Sequence, residues 1–232
     1  MPAKTEKPNI SEYIVNFIQK NRKALLISLS GLVVIIIIFI AVFAIQDSLS
    51  AKAYIKVDEL NSRYEAIMNN ADEEQPLSAA LINDIILLLE DVAQFTDRNS
   101  SGYAAARAYA ISADMYELMS NWHEAENAWA DAARAATGTY FAPVAYFNAA
   151  VAAEEQGNNT RAIELYNNAL EYGSDFPSAP RAQFSVGRIQ ESQGDRLAAI
   201  ATYQSLVGRW PEDQVWTNLA QSRILILSIE LY

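Results

Sequence analysis

Cysteine is absent from this 232-residue chain. That absence removes disulfide frameworks, thiolate metal sites, lipid attachment through cysteine and cysteine nucleophiles together. Histidine is nearly absent as well: His123 stands alone, in the turn Ser120-Asn-Trp-His-Glu124, with no serine–carboxylate partnership visible around it. Positive charge is short, with 17 Lys and Arg against 28 Asp and Glu and a net charge of −11. So acidic a chain is not expected to bind nucleic acid or to read anionic lipid. No phosphate-binding glycine loop and no dinucleotide fingerprint occurs. The paired acids Glu154-Glu155 and Asp72-Glu73-Glu74 lack calcium-loop spacing and read as solvated charge. The expectation is a protein that is not an enzyme, with no catalytic residue, cofactor or metal assigned. Asn99-Ser-Ser101 and Asn158-Asn-Thr160 read as ordinary surface loops.

One long apolar run is present. Ala24 to Ile45 holds 22 residues without a charge, 16 of them Leu, Ile, Val or Phe. As a helix it would extend roughly 33 Å, matching a bilayer core of about 30 Å. A signal peptide is the rival reading, since Val42-Phe43-Ala44 could be cleaved, but the run exceeds the usual apolar core and is read as an uncleaved anchor. Lys4, Lys7, Lys20, Arg22 and Lys23 precede it against Glu6 and Glu12, a balance of +3 that leaves −14 for the remainder. Positive charge stays inside, so residues 1–23 are expected in the cytoplasm, 24–45 across the membrane and the acidic bulk outside.

The bulk repeats itself every 37 residues. Aligning Ala106, Pro143 and Pro180 brings small residues together at the eighth place (Ala113, Ala150, Gly187) and at the twentieth (Ala125, Ala162, Ala199). The fifteenth place carries Ser120, Gly157 and Gly194, where a helix would end in a left-handed residue. Aromatics Trp129, Tyr166 and Tyr203 occupy the twenty-fourth, and Ala132, Ala169 and Leu206 the twenty-seventh. Small residues let two antiparallel helices approach closely, and Pro211 would stop the second helix of the last unit. The pattern resembles the tetratricopeptide repeat, usually 34 residues, with a longer loop such as Gly173-Ser-Asp-Phe-Pro177 between units. The expected fold is all-α: one N-terminal transmembrane helix followed by a TPR-like α-solenoid of antiparallel hairpins.

Residues 46–105 read as a membrane-proximal hairpin, with helices at Ser48–Asn69 and Leu77–Thr96 around the loop 70–76. Its run Ile85-Ile-Leu-Leu-Leu89 is too short to span and should be a buried face. Repeats are expected over 106–142, 143–179 and 180–213. Residues 214–232 should form a capping helix that buries Trp216, Leu219, Ile224, Leu227 and Leu231 and solvates the array's last face. Arg161 is expected to be an exposed residue of little consequence.

In such an array the first helices line a groove through the second, fifth, ninth and twelfth places of each unit. Those places nominate Arg107, Phe147, Val151, Arg181, Phe184 and Arg188, with Asn148 beside them. An aromatic floor with arginine forks suits an extended peptide or an acidic side chain. The alternative is that Phe147 and Phe184 are buried and the arginines form i,i+4 pairs. Asn148 and Arg181 fall on places of the chaperone-type carboxylate clamp, whereas Ala110, Asp114 and Ser185 depart from it.

The plan as a whole resembles the ancillary-subunit (YfgM-like) family of the bacterial SecYEG translocon. The resemblance rests on Phe17-Ile-Gln-Lys-Asn21-Arg-Lys23 before the span, with Arg22 where that family often has Gly, and on the repeat register. It implies a single-pass inner-membrane protein whose periplasmic interaction domain links translocon and chaperones in protein export. A scaffold that organises a division or outer-membrane assembly complex through homo-oligomerisation is the alternative.

Overall fold

A computed structural model describes residues 10–71, 76–173 and 176–229. Lys4, Glu6, Lys7, Asp72-Glu73-Glu74, Ser174, Asp175 and Leu231 lie outside the described residues, as do the side chains of Glu12 and Asp47. The chain divides into two compact units, 1–52 and 53–232.

Among the described residues there are nine α-helices and no strands: α1 (Ile10–Asn70), α2 (Ala79–Thr96), α3 (Tyr103–Leu118), α4 (Trp122–Ala135), α5 (Phe141–Glu155), α6 (Asn159–Leu170), α7 (Ala179–Ser192), α8 (Arg196–Arg209) and α9 (Gln214–Ile229). In the first unit, the large apolar side chains from Leu25 to Phe43 are exposed along α1. Among the described residues α1 is the one helix long and apolar enough to cross a membrane.

The second unit is a chain of helix hairpins. The end of α1 and all of α2 pack on α3 through Val57, Leu60, Ile85, Leu88, Val92, Ile111 and Met115. Ser78 caps α2 by accepting from the Leu81 N–H at 3.2 Å, which starts that helix two residues later than expected. Ile85 and Leu88 are buried, but Ile86 and Leu87 of the same run are exposed, because a helix turns consecutive residues to different sides.

The 37-residue frame begins one to three residues inside α3, α5 and α7. All three first helices end alike. Ser120, Gly157 and Gly194 have φ of 57°, 74° and 81°. The next N–H reaches back five residues in each case, Asn121 to Tyr116, Asn158 to Ala153 and Asp195 to Gln190, at 2.8, 2.9 and 3.0 Å. This Schellman closure satisfies carbonyls that a helix end leaves orphaned. The twentieth-place residues Ala125, Ala162 and Ala199 are fully buried, as are Ala113 and Ala150 at the eighth. Close approach of hairpin partners is therefore built from alanine.

Two expectations about polar residues change. Arg161 is not a free surface residue: its Nε donates to Glu126 at 2.9 Å and its guanidinium also pairs with Glu164. Glu126 is buried and takes a further bond from Gln156, so α4 and α6 are joined by a charge that needs its partner. His123 lies in the first turn of α4 rather than in the turn before it, exposed and 3.4 Å from Asn127.

The last helix departs most. Ala220 and Leu227 are buried against Tyr203 and Leu206, with Trp216 and Ile224 alongside. Leu219, expected inside, is 45% exposed, and Val215, Leu225, Ile226 and Ile229 join it on the outer side. A period reading picks out one apolar stripe, whereas α9 carries two. It covers the third hairpin and turns outward a mixed surface, in which these apolar side chains lie beside exposed Gln214, Asn218, Gln221 and Ser222.

Candidate protein-binding groove

A cleft of about 320 Å³ opens between the second and third hairpins, lined by Val151, Glu154, Arg181, Phe184, Arg188 and Trp216 among others. Each lining side chain is placed by the repeat. Val151 and Glu154 stand on α5, one helical turn apart; Arg181, Phe184 and Arg188 lie along one face of α7, at i, i+3 and i+7. Four of the seven nominated residues meet here: Val151, Arg181, Phe184 and Arg188.

Glu154 organises the cleft. Its Oε1 accepts from the Tyr166 hydroxyl at 2.6 Å, and its other oxygen takes the Arg188 guanidinium. The carboxylate is mostly enclosed rather than solvated. Burial raises the Tyr166 phenol, and the hydrogen bond to Glu154 raises it further. The unit-to-unit pattern repeats. Trp129 Nε1 donates to Glu117 at 2.6 Å, and the Tyr203 hydroxyl donates to Glu191 at 3.1 Å. Glu191 in turn receives Arg223 from α9, as Glu154 receives Arg188 from α7. The twelfth-place glutamate and twenty-fourth-place aromatic thus pair in all three units, and in the second and third an arginine from the next element, Arg188 or Arg223, joins them. The arginine pairs across units, not at i,i+4 within a helix.

Phe147 is buried, not part of the floor. Its ring packs on Tyr166 and Phe176 at centroid distances of 5.3 and 6.1 Å. Arg181 lies over it, the guanidinium carbon 4.9 Å from the ring centre, and stays exposed on its outer side. The fifth place faces inward and also adjoins the next hairpin, which covers a large ring there. Phe184 is half-buried between Tyr203 and Trp216, at 5.2 and 5.3 Å. Trp216 is the wall that repeat counting misses, because it comes from α9, outside the three units. Asn148 is half-buried on α5 and is not among the residues lining the cleft.

Arg107 is also elsewhere. It bonds Asp58 of α1 at 2.7 Å. Asp114, at the ninth place of the same unit, accepts from Tyr64 of α1. Desolvation raises the Asp114 carboxyl from its ordinary 3.8 to about 6, and Tyr64 is pushed up to about 12 by burial first and then by Asp114. The end of α1 therefore occupies the first unit's groove places, and the open cleft is left between the second and third.

Among the described residues no group of three or more His, Asp or Glu side chains could hold a metal ion.

Residues 119–175 and 147–214 match the family model described as tetratricopeptide repeat. A TPR repeat-containing protein of Treponema pallidum (strain Nichols) is 41% identical over 128 residues, covering 55% of this chain and 53% of that protein. The chain thus spans about half the length of the curated relative it matches. Among solved structures, nearly identical TPR-like repeats of a putative kinesin light chain from Podosopora anserina superpose with a TM-score of 0.51 at 13% identity, over 74% of this chain and 85% of that one. A MamA structure gives 0.49 at 21% identity, over 67% and 79%. The fold of the repeat region is that of a tetratricopeptide solenoid, an architecture whose ordinary work is protein–protein interaction.

Proposed function

We propose that the protein is a membrane-anchored adaptor that holds an extended peptide in the cleft between its second and third repeats. The observation that carries this is the pairing of an exposed arginine, Arg181, with an aromatic wall of Phe184 and Trp216. Arg188 is already engaged by Glu154, which leaves Arg181 to meet an acidic side chain while an apolar one lies against the rings. The apolar stretch 24–45, exposed from Leu25 to Phe43, and the basic residues before it support one membrane span with the N-terminus in the cytoplasm. The resemblance of that plan to the translocon's ancillary subunit supports a place in the bacterial inner membrane. There the repeats would face the periplasm and link the export channel to chaperones.

Arg181→Glu is the direct test, since the residue is exposed and its loss leaves no buried charge. Full-length protein gently solubilised from its own membranes should lose retained partners by roughly tenfold or more, the scale of one charge-assisted contact. Its thermal transition should fall by no more than about 4 °C, the scale of losing the Arg181–Phe147 contact. Translocon subunits among the wild-type partners would support the export role, and wild-type retention by the variant would move binding to another surface. Protease added to spheroplasts of the same cells should digest the repeats; full protection of them would reverse the orientation.

A further inference from the structure

Every first helix of the array is covered by the second helix of its own hairpin: α3 by α4, α5 by α6 and α7 by α8. A small residue marks each contact, Ala113, Ala150 and Gly187. α9 stands in the place of a fourth first helix, because its Arg223 meets Glu191 as Arg188 meets Glu154. The residue before that arginine is again small, Gly187 in one case and Ser222 in the other. Yet in α9 the covering side is bare. Val215, Leu219, Leu225, Ile226 and Ile229 are 65, 45, 64, 39 and 66% exposed, with Ser222 exposed in their midst.

We infer that this face binds the same face of a second copy of the chain, the two α9 helices crossing antiparallel about a two-fold axis at Ser222. Four of the five apolar side chains are symmetric about that residue, while Ile226, four places after it, has exposed Asn218 as its counterpart. Leu219 and Leu225 stand three places to either side, Val215 and Ile229 seven places to either side, and Ser222 is at the middle of α9. A two-fold contact demands a patch complementary to itself, and antiparallel alignment sets Val215 against Ile229 and Leu219 against Leu225 of the second copy. The small residue at the axis lets the backbones come close, as it does inside each hairpin. Charge points the same way. The face carries no acidic or basic residue in a chain of net charge −11, so two copies meet here without opposing carboxylates. A strongly charged partner would find no counter-charge on it.

The lack of cysteine makes the test clean. In full-length protein in its own membranes, Ser222→Cys introduces a single thiol at the proposed axis. Under mild oxidation it should give a disulfide-linked dimer, about tenfold more abundant than from Thr160→Cys, an exposed site on α6. Adding Leu225→Asp sets a carboxylate against Leu219 of the second copy, with no partner for the charge, and should lower that yield roughly tenfold or more, with the circular dichroism transition retained. Should Leu225→Asp unfold the chain, Leu225→Gln with Ser222→Cys decides, and its yield should also fall. A yield no higher than that of Thr160→Cys, cross-links to other proteins alone, or a yield unmoved by the folded Leu225 variant would each overturn the proposal. The outcome is independent of Arg181, which lies on another helix.

Discussion

Gly187 shows how tightly single positions are held. It is helical, so alanine there would ordinarily gain about 1 kcal/mol of helix propensity. A Cβ at that point, however, would sit 2.6 Å from the Tyr203 ring, which is itself fully buried and bonded to Glu191. The ring has nowhere to go. Gly187→Ala should therefore destabilise by about 1–3 kcal/mol against the propensity trend. Gln204→Ala, an exposed site on α8, should stay within about 0.5 kcal/mol in the same urea titration. Equal midpoints for the two would remove the close contact from the account. Smallness at the eighth place was legible from spacing alone, because steric exclusion acts at every repeat. The burial of Phe147 was not, since it depends on Phe176 and Arg181 of the following hairpin arriving over it.

Among the elements, α3 is the one whose groove side is closed by another helix. Tyr64 of α1 donates to Asp114, and desolvation keeps that carboxyl protonated well above its usual range. The unfolded chain would ionise it near 3.8 and the folded chain near 6, so within that window the folded state binds more protons. Stability from this group is thus full below the lower value and is lost as pH rises through the upper one. Asp114→Asn should flatten that fall and leave the variant relatively more stable at pH 7 than at pH 4, read as the shift in urea midpoint. A fall identical to wild type would assign it to other carboxylates. The helices themselves were readable because capping is local: the left-handed ends at Ser120, Gly157 and Gly194 follow from single residues. What closes the first unit's groove was not readable. Asp58 and Tyr64 lie about 50 residues before their partners Arg107 and Asp114, and no local pattern links them.

At the scale of the whole repeat unit, the joints between hairpins are fastened on different sides. Between the second and third hairpins, and between the third and α9, the arginine–glutamate pairs sit on the cleft side. Between the first and second, Val151 stands where the arginine would be, and the tie is Arg161 to Glu126 between second helices. A tie resists being stretched, so the later joints are stiff against widening of the cleft and the first joint is stiff against its narrowing. The array is then a spring with two force constants, soft toward opening near α3 and α5 and hard toward opening near α7. Spin-label pairs across the first joint should give a broader distance distribution than pairs across the second, measured by double electron–electron resonance; equal widths would mean that the ties carry no load. An incoming chain that pried the array apart would do so at the first joint, and the proposed cleft residues would stay in register.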